Sequence, residues 1–192
     1  MKQFLLFVLL FFSLNGIMLA QPSEAEETIL FFGDSITAGY GIDMEQAFPA
    51  LIQEKIDSLG WSYNVVNAGL SGETSAGGLR RVDWILRQDI AVFVLELGGN
   101  DGLRGGDLQS TRSNLQAIID KVQERSPDTK ILLAGMQVPP NLGHEYTREF
   151  REIYPEVARE NDVTLIPFIL EGVGGNPSLN QGDGIHPNPE GH

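Results

Sequence analysis

The sequence predicts a three-layer α/β sandwich, a parallel five-stranded sheet covered by helices on both faces. Two observations predict it. Short apolar runs alternate with longer stretches of helical periodicity along the chain, and the runs lack the strict polar alternation of a half-exposed strand, which implies strands buried on both faces. The connections between the runs are also long enough to reverse direction through a helix, as parallel neighbours require.

The strand candidates in order are Ile29 to Phe32, Tyr63 to Val66, Ile90 to Leu97, Ile131 to Ala134 and Val163 to Ile166. Between them, Phe48, Leu51, Ile52, Ile56 and Leu59 fall on one helical stripe, and a weaker helix is expected from about Ser75 to Leu86. Leu115, Ile118, Ile119 and Val122 form a further stripe, as do Phe150, Ile153, Tyr154 and Val157. No repeat, low-complexity tract or interdomain linker interrupts this order, so residues 26–192 are expected to form a single domain.

Residues 1–20 are set apart. Lys2 precedes the apolar run Phe4 to Phe12, followed by the polar break Ser13-Leu14-Asn15-Gly16 and the small residue Ala20. This is the pattern of a secretory signal peptide, with cleavage after Ala20 or after Ala25, and it implies export to a periplasmic or extracellular space. The apolar run is too short for a comfortable membrane span.

Composition narrows the chemistry. The chain has 192 residues, 42% of them hydrophobic, enough to bury a core. With 13 basic against 26 acidic side chains the formal charge is −13, which disfavours nucleic acid as a partner. There is no Cys, which excludes disulfides, thiolate nucleophiles and cysteine-based zinc sites, and leaves Ser, His and carboxylates to carry protein-borne chemistry. Neither a GxxxxGK nor a GxGxxG follows any strand candidate, so a phosphate-cradling loop fits poorly, and no G-x-S-x-G elbow is present.

In an open parallel sheet, ligand sites form beyond the carboxyl ends of the strands. Four glycine-rich, polar segments fall in that zone: Gly33-Asp34-Ser35, Asn67 to Gly72, Gly98 to Asp101, and Asp183 to His186. Ser35 is either a helix cap or a nucleophile presented at a strand-to-helix turn. Asp183 and His186 are spaced so that the carboxylate can fold back onto Nδ1 and leave Nε2 as a base. Asn100 either closes a turn after the third strand or offers its amide to an oxyanion, and Gly72 is either a flexible helix entry or a backbone donor approached closely for want of a Cβ. Asp34 is expected to hold the turn without a chemical role. His144 and His192 are expected at the surface.

Taken together, these blocks resemble the SGNH (GDSL-type) hydrolases, whose pattern is a GDS, an NxGxSG, a GxND and a DxxH block in that order. All four occur here, across almost the whole of residues 26–192. The stretches "FGDSITAGYG" and "LELGGNDGLRG" are especially similar to the bacterial branch that contains thioesterase I, lysophospholipase and arylesterase enzymes.

The resemblance implies a flavodoxin-like sheet and a serine esterase acting on acyl esters or thioesters. Its implied triad is Ser35, His186 and Asp183, with an oxyanion hole from the N–H groups of Ser35 and Gly72 and the amide of Asn100. It implies no metal or organic cofactor, a small acyl substrate and transient contact with lipid, and leaves oligomeric state open. Deacetylation of carbohydrate is the alternative within the hydrolases, and a noncatalytic periplasmic binding module is the alternative from another class. Relatives continue into a final helix packed on the sheet, whereas only Pro187 to His192 follow His186. The expectation is therefore a domain whose C-terminal helix is missing.

Overall fold

The computed structural model describes residues 26–192; the signal-peptide expectation for residues 1–20 lies outside them. Five parallel strands form one sheet: β1 (Glu27–Gly33), β2 (Tyr63–Asn67), β3 (Val92–Glu96), β4 (Lys130–Ala134) and β5 (Thr164–Ile166), in the order β2-β1-β3-β4-β5. The order reverses at β1, so the β1–β3 boundary is the switch point where a ligand crevice is expected. The register pairs Phe32 with Leu95 and Gly33 with Glu96, which brings the ends of β1 and β3 side by side.

Six α-helices accompany the sheet: α1 (Ser35–Ala38), α2 (Phe48–Leu59), α3 (Ser75–Ile85), α4 (Gly99–Leu103), α5 (Leu108–Arg125) and α6 (His144–Asn161). Leu30 and Phe32 are fully buried, and Phe32 lies against α3, with the Arg81 guanidinium over its ring at 4.0 Å. Phe31, pointing the other way as strand geometry demands, meets Phe48 of α2 edge-on at 5.3 Å. The α3/α5/α6 side thus holds most of the core, including Val82, Leu115, Ile118, Phe150 and Tyr154.

The four anticipated helices form close to their expected places, with boundaries set by capping. Thr74 accepts the Gly77 N–H at 3.2 Å and starts α3, and Asp107 accepts the Ser110 N–H at 2.7 Å and starts α5. The third strand is shorter than its apolar run, because Ile90 and Leu97 are core side chains on the flanking loops. On α2, Ile56 is buried whereas Leu51 is 36% exposed. Leu51 lines an open, largely apolar cavity of about 340 Å³ between α2 and the segment that carries Ile169, Leu170, Pro187 and His192. The surface role expected of His192 is corrected here. It is half-buried, its ring stacks on Phe48, and its Nδ1 accepts the Phe48 N–H at 3.3 Å. His144 is exposed, as expected.

Candidate active site

Strand β1 leads into Asp34, which is 2% exposed and caps the single turn of α1 by accepting the Ile36 N–H at 3.0 Å. The cap places Ser35 at the first helical position, immediately past the sheet edge. Its Oγ lies 2.9 Å from Nε2 of His186, which arrives from a loop 151 residues away.

The histidine loop is shaped by Asp183. One carboxylate oxygen, Oδ1, accepts the N–H groups of Ile185 and His186 at 2.9 and 3.0 Å, which closes a tight turn. The other, Oδ2, lies 2.6 Å from Nδ1 of His186. These bonds, the His186 side chain first, hold the Asp183 carboxyl down to about 2. An ionised Asp183 can only accept, so Nδ1 carries the proton and Nε2 is left to accept from the Ser35 hydroxyl.

Two contacts secure this loop to the one that carries Ser35 and Tyr40. The Gln181 amide Nε2 donates to the carbonyls of Tyr40 (2.6 Å) and Pro187 (2.9 Å), while the Gln181 N–H donates to His186 O at 2.7 Å. The Tyr40 ring lies against the imidazole at a centroid distance of 4.7 Å. Sequence reading missed Gln181 and Tyr40, since neither residue type marks chemistry by itself.

Asn100 sits in the first turn of α4 and does not close a turn with its own side chain. Its Nδ2 donates to Asp34 Oδ2 at 3.1 Å and to Glu73 O at 3.0 Å, so the amide faces the turn that carries Ser35. Gly72 has φ +80°, and its loop is held from beneath by Glu73, which pairs with Arg81. The N–H groups of Ser35 and Gly72 donate to no protein group among the described residues.

Under Ser35 lies a second carboxyl that sequence reading passed over. Glu96 is 1% exposed, and its Oε2 accepts the Asp34 N–H at 3.2 Å and the Thr37 hydroxyl at 2.7 Å, while Oε1 has no partner among the described residues. Burial first, and then the charge of Asp34, push the Glu96 carboxyl well above its ordinary range. Burial also raises Asp34, but Asp34 accepts from Ile36 and Asn100. Of the pair, the proton therefore belongs on Glu96. Among the described residues no cluster of His, Asp and Glu has the makings of a metal site.

A hydroxyl, an imidazole with its acid, two unengaged N–H groups and an amide thus meet at the β1–β3 switch point. Such a set can attack an acyl carbonyl and receive the charge that develops on its oxygen.

Comparison with known proteins agrees with this chemistry. The model of the GDSL-like Lipase/Acylhydrolase family matches residues 31–192. The chain is similar to Esterase TesA of Pseudomonas aeruginosa, 44% identical over 173 residues that cover 90% of this chain and 85% of that one. It is similar to Thioesterase 1/protease 1/lysophospholipase L1 of Escherichia coli at 42% identity, covering 90% of this chain and 81% of that one. Among solved structures, the SGNH-hydrolase family esterase AlinE4 superposes with a TM-score of 0.79 at 42% identity, covering 88% of this chain and 90% of that one.

Proposed function

The chain belongs to the GDSL-like lipase/acylhydrolase family and is a carboxylic ester hydrolase, and from that premise we propose that Ser35, His186 and Asp183 carry the reaction. The single observation that supports this assignment is the unbroken series Asp183 Oδ2, His186 Nδ1, His186 Nε2, Ser35 Oγ, with links of 2.6 and 2.9 Å.

Ser35 Oγ attacks the acyl carbonyl as its proton passes to His186 Nε2. The oxyanion forms against the N–H groups of Ser35 and Gly72 and the amide of Asn100. Collapse of the tetrahedral intermediate breaks the bond to the leaving alcohol or thiol, which takes the proton from His186. Water then attacks the acyl-Ser35 ester by the same sequence, giving the carboxylic acid and restoring the hydroxyl. Asp183 keeps its negative charge throughout and stabilises the imidazolium between steps.

The substrates are acyl esters and thioesters, the bond types in the names of the relatives. The leader pattern in residues 1–20 supports an exported enzyme, and lysophospholipase among those names supports transient contact with lipid. A serine-directed fluorophosphonate tests the assignment. Labelling of the wild type, abolished by Ser35→Ala, is expected; persistent labelling of the variant would move the nucleophile elsewhere. A panel of nitrophenyl esters and acyl thioesters of increasing chain length then defines the acyl preference.

A further inference from the structure

Two arginines flank the loop that carries Gly72 and Glu73, and they differ in one respect. Arg81 is neutralised: its Nε reaches both Glu73 carboxylate oxygens at 2.7 and 2.9 Å, and its Nη2 donates to Ala68 O at 2.8 Å. Arg104 has no Asp or Glu oxygen within 4.0 Å among the described residues. It stands at the end of α4, and its Nη2 donates at once to Asn100 Oδ1 (3.1 Å) and Gly72 O (3.3 Å).

We propose that Arg104 is a positioning residue of the oxyanion hole, which ties the Asn100 amide to the Gly72 loop and strengthens the amide as a donor while the substrate oxygen becomes negative. The inference rests on the reading of Gly72 and Asn100 as oxyanion donors.

Three features carry it. A guanidinium can only donate, so Asn100 must present Oδ1 to Arg104 and Nδ2 to the nucleophile turn. The acceptor-only partners on the opposite side, Asp34 Oδ2 and Glu73 O, require the same orientation. A charged donor on Oδ1 also draws electron density from the amide and makes its N–H groups better donors. This matters because both Asn100 N–H groups already have acceptors in the resting site. The incoming oxyanion must win a share of one, and a more polarised amide favours sharing. The bond to Gly72 O holds the carbonyl side of Gly72, and so limits how far the loop that carries its N–H can shift. The polarisation counts for more as charge builds on the substrate oxygen, so it acts on the transition state more than on substrate binding.

The test combines two variants with a second background. Arg104→Met is expected to lower kcat on a neutral nitrophenyl ester about tenfold, a charged hydrogen bond discounted for its exposed position, with KM little changed and the thermal midpoint unaltered. Affinity for a trifluoromethyl ketone, which forms an anionic tetrahedral adduct on the serine, should fall by the same factor. Arg104→Lys keeps the charge without the fork and should recover part of the loss. In the Asn100→Ala background, Arg104→Met should cost much less than it does alone. Unchanged kcat, a defect confined to KM, or an undiminished defect in the Asn100→Ala background would each overturn the proposal. Loss of fluorophosphonate labelling in Ser35→Ala reports separately on the nucleophile, so a failure here is not confused with a failure of the triad.

Discussion

Asp34 Oδ2 accepts a hydrogen bond from the Asn100 amide at 3.1 Å, which joins the turn after β1 directly to the first turn of α4 behind Ser35. The amide is therefore held behind Ser35 before any substrate arrives, so an oxyanion needs only a share of an N–H that is already in place. Replacing Asn100 with Ala should lower kcat by roughly 10² to 10³ fold while leaving KM nearly constant. Steady-state kinetics on a neutral ester, with the thermal midpoint as control, checks this. Undiminished kcat in a folded variant would remove Asn100 from the oxyanion hole.

Glu96 links the site to stability. Its carboxyl titrates well above the ordinary range because it is buried and faces Asp34, so the native state holds a proton that the unfolded chain releases. Stability from this group is full below the ordinary carboxylate value of about 4.5 and is lost progressively as pH rises from there toward its native value. In Glu96→Gln the side-chain carbonyl can still accept from Asp34 N–H and Thr37, and the titration is gone. The melting temperature of the variant relative to wild type should therefore be level below about pH 4.5 and climb as pH rises above it, whatever constant offset the unpaired amide adds. A difference that does not vary with pH would mean that Glu96 titrates normally.

The strands and the four blocks were legible in the sequence because three of the blocks follow a conspicuous apolar run and the fourth pairs an acid with a histidine at a turn's spacing, and long helices such as α5 and α6 announce themselves by period. Helices α1 and α4 were not, since one turn has no periodicity to read. They exist because Asp34 caps one and because Gly98, at φ +106°, turns the chain into the other. The partners that fix the site were hidden for a related reason. Glu96 reads as the polar end of an apolar strand, and Arg104 as one cation among 13 basic side chains. His192 was misjudged because its burial depends on Phe48, which is 144 residues away.

Gln181 should matter to rate more than to folding. It bridges the nucleophile loop and the histidine loop through Tyr40 O and Pro187 O, and no regular element lies between β5 and His186 to do the same. Gln181→Leu keeps the volume and removes both bonds. A displacement of the imidazole by a fraction of an ångström should reduce kcat by about 10-fold or more, with a matching fall in the rate of fluorophosphonate labelling. Labelling at the wild-type rate would show that Asp183 and the Tyr40 ring suffice to seat His186.

Two glycines of the "NAGLSG" block separate packing from chemistry. A Cβ on Gly69 would fall 2.3 Å from Ala38 N, 2.7 Å from Ala38 Cα and 2.8 Å from Thr37 C, all main-chain atoms of α1 that cannot swing aside. The loop after β2 must then lift off α1, and Gly69→Ala should destabilise the fold by about 3 kcal/mol. At Gly72 the space is open, with only Arg104 Nη2 at 3.9 Å, but φ is +80°. An L-residue there costs about 1–2 kcal/mol of backbone strain, which the chain can relieve by rotating the very N–H assigned to the oxyanion. Gly72→Ala should therefore remain folded, lose little stability and lose kcat. Urea unfolding curves and kcat measured on both variants check the division. Equal stability losses would show that the approach of Gly69 to α1 is not a packing constraint, and full activity in a folded Gly72→Ala would show that its N–H takes no part in the reaction.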